Sequence, residues 1–115
     1  MDSAPRRGEI WTADTGNPPR RHWVVILSVD PRNFSNRIDS VLAVPFGSQG
    51  AEGPTVIRLQ PEETNLPRAS FLKGHFISVI KKANLRARVR TLSARRMREV
   101  VLLVRRAIDP DAPAA

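Results

Sequence analysis

Along the first 90 residues, apolar and polar residues alternate within short segments, a pattern that is typical of β-strands. The first predicted strand is Gly8–Asp14. The second, His22–Val29, contains the unbroken apolar run Val24–Leu27, which predicts burial on both faces of a sheet. Both tryptophans, Trp11 and Trp23, are expected in the core and not as base-stacking platforms, unless one of them has an exposed face. Further strands are predicted at Ser40–Phe46, Pro54–Leu59, Ser70–Ile80 and Arg86–Arg90.

Turn-forming residues separate these strands. Gly16 and the Pro18–Pro19 pair predict a loop over Thr15–Arg21, since proline cannot donate to a strand ladder. Asp30–Asp39 has the composition of turns, and residues 60–69 predict a loop that includes a helical turn. Gly74 predicts either a bulge in the segment that starts at Ser70 or a break between two strands. In the fourth strand, Val56 points inward if Ile57 points outward.

One helix is predicted, over Leu92–Ile108, with Ser93 as its N-cap because a serine hydroxyl accepts hydrogen bonds from first-turn amides. Leu102 and Leu103 lie outside its main apolar stripe and predict a second covered surface, as in a homodimer. The stripe has helical spacing and consists of Met97, Val100, Val101, Val104 and Ile108.

These elements predict a mainly β (α+β) fold, a small, strongly bent antiparallel sheet or SH3-like barrel of about six or seven strands with a C-terminal helix. The 115 residues predict a single domain, with a core over residues 6–108. Residues 1–5 and 109–115 are polar or rich in proline and alanine, and they are expected to be flexible.

The charge distribution points to a polyanionic partner. The formal net charge is +8, and residues 68–106 hold twelve Lys and Arg against a single acid, Glu99. Phosphate backbones are the commonest partner of so basic a surface, although solubility or an acidic protein partner would also account for it. The chain has no cysteine, no apolar run of membrane-spanning length and no hydrophobic segment after its first arginines. Together these features favour a cytoplasmic protein without membrane attachment.

Six segments in order resemble the MazF/PemK family of toxin endoribonucleases. They are "RRGEIWTAD" at the first strand, "VVILS" at the second, "VLAVPFGSQ" at the third, then "ETNLPRASFL", "NLRARVR" and "TLSARRMREV" into the helix. The resemblance covers about Arg6 to Ile108. It implies the compact barrel shared by CcdB and MazF toxins and usually a homodimer. It also implies sequence-specific cleavage of single-stranded RNA without a metal or other cofactor, and inhibition by a cognate antitoxin, which we expect to be acidic and partly disordered.

The family places an arginine and then a proline at the head of the second strand, and a threonine after the third. Here His22 and Trp23 stand at the first two positions, and Gly47 at the third with Ser48 next to it. In the later strand region, family members commonly have an acidic residue and a glutamine as a pair. This sequence has His75 and Phe76 at those positions.

Two interpretations of these departures remain open. In the first, His22 is the acid or base, since the ordinary pKa of histidine is near 6.5, and Arg21 and Ser48 complete the catalytic group. Its RNA-binding residues would be Arg20, Gln49, Lys73, His75, Lys81 and Lys82. In the second, the chain is a catalytically degraded module that binds RNA or a protein partner, because a lone histidine beside a tryptophan is more often structural. A gyrase poison of the CcdB type is disfavoured, since the C-terminal tail has no tryptophan.

Overall fold

The computed structural model describes residues 4–114 and consists of one antiparallel sheet and three helices. Its strands are β1 (Glu9–Thr15), β2 (Arg20–Ile26), β3 (Ser40–Gly47), β4 (Val56–Leu59), β5 (Ser70–Lys73), β6 (Ser78–Lys81) and β7 (Leu85–Thr91). The helices are α1 (Asp30–Asn33), α2 (Pro61–Thr64) and α3 (Ala94–Ile108), with a short 3₁₀ turn at Lys82–Asn84. Seven strands and a C-terminal helix confirm the predicted fold class.

β3 organises the sheet, whose strand order is β4-β5-β3-β2-β1-β7, with β6 also paired to β3. The first half of β3 pairs with β6 from Ser40 to Ala43, whereas its end pairs with β5 at Phe46 and Gly47. β3 therefore changes partner along its length, from β6 to β5, and the sheet bends along β3.

Both faces of the central strands are buried, as the apolar run in β2 predicts. Val25 faces a core that includes α3, whereas Val24 and Ile26 face a second core around Trp11. Period-two alternation of side chains in a strand sends adjacent valines to opposite sides. Each strand residue in this run therefore contributes to one of two packed layers.

Helix α3 begins where predicted, and the Ser93 hydroxyl accepts a hydrogen bond from the Arg96 amide at 3.1 Å. Its buried residues are Met97, Val100, Leu103 and Val104. Leu103 is covered as predicted, with 2% of it exposed, but by its own chain, so it gives no support to a homodimer; the prediction for Ile108 is wrong, since it is 68% exposed rather than in the stripe. Leu103 is buried because the Gly74 backbone packs directly against it.

Three boundaries and orientations differ from the sequence prediction. β2 starts at Arg20 because its ladder with β1 extends to the Thr15–Arg20 pair, so Arg20 and Arg21 are strand residues and not part of the loop. Asp30–Asn33 forms a helical turn in place of an irregular turn. Ile57, not Val56, packs against the core, since it shares the face of the buried Leu59.

Gly74 separates β5 from β6, as predicted. The expected flexibility of residues 1–5 and 109–115 stays a prediction, and residues 1–3 and 115 lie outside the described part. Between residues 4 and 114, the helices are all too short or too polar to cross a membrane.

We expect Gly74→Ala to destabilise the fold, because a Cβ there would lie 2.6 Å from the Leu103 carbonyl oxygen and 2.7 Å from its Cβ. Overpacking of this kind typically costs about 1–3 kcal/mol. Urea denaturation should show a lower midpoint than in the wild type. Gly53→Ala is the matched control, since a Cβ at Gly53 has no neighbour within 4 Å among the described residues. Equal midpoints for the two variants would contradict the proposed close contact.

Candidate nucleic-acid interface

A cavity of about 340 Å³ opens where β2 and β3 separate. The ladder between these strands runs from Ile26–Ala43 to Val24–Pro45, and beyond it both strands continue along the cavity. The segment before β5 closes the third side. The lining residues are Arg21, His22, Trp23, Phe46, Gly47, Ser48, Pro67, Arg68, Ala69 and Ser70.

The structure brings together all three predicted catalytic residues, Arg21, His22 and Ser48, at this cavity. Strand alternation places Arg21 on the face of Val25 and the half-buried His22 on the opposite face. Both residues line the cavity, which lies along the edge of β2 that faces β3. A substrate there would meet a guanidinium from one side and an imidazole from the other.

Trp23 corrects the sequence analysis, which assigned both tryptophans to the core. Trp11 is buried and donates its indole N–H to Glu9 at 3.0 Å, but 39% of Trp23 is exposed, and it lines the cavity. The cause is its position one residue beyond the β2–β3 ladder, where β3 no longer covers the strand.

Arg21 is held from behind by a carboxylate. Asp14 on β1 accepts hydrogen bonds from Arg21 and, at 2.7 Å, from Arg86 on β7. These bonds, first that of Arg21 and then that of Arg86, hold the pKa of Asp14 below its usual value of 3.8. Asp14 therefore remains ionised throughout the neutral pH range and fixes the direction of the Arg21 side chain.

Sequence reasoning missed Arg68, the second cation of the cavity. It lies in "LPRAS", a segment that supported the resemblance but was interpreted only as a loop. Its neighbour Leu66 is buried and Ser70 begins β5, so the intervening residues are anchored at both ends. An arginine between two anchored residues, next to a strand end, was the signal available in the sequence.

The remaining predicted residues lie outside the lining of this cavity. Arg20 and Gln49 are exposed next to lining residues. His75 follows the far end of β5 and shares a 3.0 Å hydrogen bond with Thr55, and Lys73 lies 5.4 Å from the centre of the Phe76 ring.

Lys81 and Lys82 belong to a different part of the surface, at the end of β6. Lys82 donates to the Ser35 carbonyl at 2.9 Å, and Lys81 is exposed opposite Ser40 in the ladder with β3. In residues 4–114, His, Asp and Glu form no cluster of three or more that could hold a metal ion.

The cavity combines groups suited to a phosphodiester. Two guanidiniums can hold a phosphate, an imidazole can transfer a proton at neutral pH, and a serine hydroxyl can donate or accept a hydrogen bond. Aromatic and proline side chains supply flat apolar walls. This combination matches a nucleotide better than a purely apolar or a purely anionic ligand.

Comparison with known proteins identifies relatives over nearly the whole chain. The family model described as "PemK-like, MazF-like toxin of type II toxin-antitoxin system" matches residues 6–108. Endoribonuclease MazF6 of Mycobacterium tuberculosis is 34% identical over 110 residues, which cover 90% of this chain and 96% of the relative. Endoribonuclease MazF2 of Mycobacterium bovis matches with the same identity and coverage.

Solved structures share the fold at lower sequence identity. An endoribonuclease in complex with its cognate antitoxin, from Mycobacterial species, aligns with a TM-score of 0.80 and 21% identity, covering 96% of this chain and 100% of that chain. A MazE–MazF structure from Deinococcus radiodurans aligns with a TM-score of 0.74 and 16% identity over 94% of this chain and 98% of that chain.

Proposed function

Because the chain belongs to the family of PemK-like, MazF-like toxins of type II toxin–antitoxin systems, we propose that it is a toxin that cuts single-stranded RNA. The convergence of Arg21, His22 and Ser48 with Arg68 on one cavity is the observation that supports this function most directly. The arginine usual in the family is replaced here by His22. This residue still lines the cavity, and cationic side chains lie next to it.

Cleavage would use the 2′-hydroxyl of the RNA as the nucleophile and would need no metal. A base removes the 2′-hydroxyl proton, the oxygen attacks the adjacent phosphorus, and the bond to the 5′-oxygen breaks as an acid protonates that oxygen. The products are a 2′,3′-cyclic phosphate and a free 5′-hydroxyl. His22 is the proposed proton-transfer residue.

Arg21 would stabilise the negative charge on the phosphorane, and the Ser48 hydroxyl would donate a hydrogen bond to one of its oxygens. Arg68 joins Arg21 as a proposed phosphate contact. Further along the RNA, the proposed binding residues are Arg20, Gln49, Lys73, His75, Lys81 and Lys82, which would hold backbone phosphates of a longer strand.

We expect His22→Ala to reduce RNA cleavage about 10²- to 10⁴-fold, the usual effect of removing a positioned acid or base. Binding should fall only modestly, because Arg21 and Arg68 remain. The measurement is cleavage of a mixed RNA pool in EDTA, with the ends of the products identified. The pH dependence of cleavage should differ between the wild type and His22→Ala, whereas Asp14 remains ionised at neutral pH in both.

His75→Ala is the matched control, because it removes the chain's other histidine, outside the cavity. It should cleave far faster than His22→Ala, with any loss limited to RNA affinity, since His75 is a proposed backbone contact and not a proton-transfer residue. Arg21→Ala should weaken RNA binding and reduce its salt dependence. Equal cleavage by His22→Ala and the wild type would exclude His22 as the proton-transfer residue. A wild type that binds RNA but does not cut it in EDTA would instead favour the catalytically degraded module.

The proposed toxin is a homodimer, and the exposed apolar residues of one segment support this. Phe76, Ile77 and Val79 all have large exposed fractions, with Val79 at 71%. β6 pairs with β3 along one edge, and an open strand edge with apolar side chains favours pairing with another chain. A second copy would cover this surface.

We therefore expect sedimentation at tens of micromolar to give about twice the 12.8 kDa chain mass. Val79→Glu should shift the protein towards monomer, because a carboxylate would be buried in the interface. Val29→Glu is the control, since Val29 is exposed at the start of α1 and not on β6. A wild-type monomer at this concentration, or equal behaviour of the two variants, would contradict the proposed interface.

The proposed compartment is the cytoplasm, where mRNA is accessible. The proposed protein partner is an antitoxin with an acidic, partly disordered segment. A structural neighbour was solved in complex with its cognate antitoxin. In this chain, Arg86, Arg88 and Arg90 are exposed on alternate residues of β7, the last strand of the sheet. An acidic segment along β7 would gain from their charge.

Association with the cognate antitoxin should therefore be faster at low salt than at high salt, because opposite charges steer the encounter. Stopped-flow mixing at a series of salt concentrations measures this rate. Arg90→Gln should flatten the dependence, whereas Arg37→Gln, a matched exposed arginine away from β7, should not. A rate that does not vary with ionic strength would rule out electrostatic steering.

A further inference from the structure

Trp23 is exposed where a buried residue was expected, and nothing in the fold requires an indole there. Its exposed fraction of 39% places it among the large apolar side chains left open to solvent. The neighbouring strand residues Val24, Val25 and Ile26 are all buried. An exposed tryptophan at the wall of a cavity offers a flat aromatic face to a ligand bound there.

Phe46 lines the same cavity as Trp23. The β2–β3 ladder ends at the Val24–Pro45 pair, so Trp23 and Phe46 are the first residues beyond it, and alternation places both side chains on the face of Val25 and Val44. Phe46 itself is half-buried and packs against the core, which fixes its position. The two aromatic residues therefore form an apolar slot with one firmly held wall and one accessible wall.

Cations lie beside this slot. Arg21, two residues before Trp23 and on the same face, is oriented by Asp14, and Arg68 lines the cavity from the segment before β5. The volume of about 340 Å³ is at the low end of the range of about 300–1,000 Å³ for small-ligand sites, which suits a single nucleotide unit.

We propose that Trp23 is the stacking platform for one nucleobase of the RNA, held in the slot against Phe46 while Arg21 and Arg68 bind its phosphate. Unpaired bases bind proteins in this way, because every base has a π-face that an aromatic ring can cover. This inference rests on the proposed function, and it makes Trp23 a residue that positions the strand for cleavage at His22.

Tryptophan fluorescence tests the proposal directly, because the chain has only two tryptophans and Trp11 is buried. The probe is a short single-stranded oligonucleotide with 2′-deoxy sugars, which lacks the nucleophile and is not cut. We expect it to quench the emission of the wild type. Trp23→Leu should lose the quenching and bind about 5- to 150-fold more weakly, the effect of one lost base stack. Trp23→Phe, which retains an aromatic ring, should recover most of the affinity.

Phe34→Leu is the matched control, since Phe34 is an exposed aromatic residue that lies outside both this cavity and the proposed dimer surface. It should bind and quench as the wild type does. Wild-type affinity in Trp23→Leu, or quenching that persists in it, would overturn the stacking role. If the wild type still cuts RNA in that case, the proposed function stands. A wild type that neither binds nor cuts RNA would overturn both.

Discussion

The structure depends most on the change of partners along β3. Its first half is tied to β6 and its middle to β2, while its last residues turn to β5. Where β3 pairs with β5 it no longer pairs with β2. This leaves a gap between β2 and β3, and the cavity is this gap. The fold therefore produces two sides of the site as a consequence of how the sheet closes, and the segment before β5 adds the third.

Electrostatic organisation follows from the same topology. β1 lies between β2 and β7, so its carboxylates can reach arginines on both sides. Asp14 joins Arg21 and Arg86, and the buried Glu9 accepts from Trp11 and from Arg88. In a chain with a net charge of +8, two of the eleven acids thus lie on the central strand β1, where they orient cations that would otherwise repel one another.

The sequence was sufficient for the order of the strands, the helix and its Ser93 cap, because these follow from local periodicity and capping chemistry. It also brought Arg21, His22 and Ser48 to one site through the resemblance. It was insufficient for Trp23, Leu103 and Arg68. Whether Trp23 is covered depends on where β3 separates from β2, and whether Leu103 is covered depends on the approach of Gly74, 29 residues away in sequence. Both are long-range contacts, which no local pattern encodes.

The bridge made by Asp14 has a consequence for how the cavity exchanges ligands. Before any RNA arrives, the guanidinium of Arg21 already has an anion beside it, so Asp14 serves as a built-in counter-ion. An incoming phosphate then shares or replaces a fixed partner rather than displacing a loosely held salt ion. Since the salt dependence of nucleic-acid binding follows the number of phosphates that cations neutralise, Arg21, already partly neutralised by Asp14, contributes less to it than a free arginine would. The selectivity of the cavity among RNA ligands would therefore depend more on shape and base stacking than on charge.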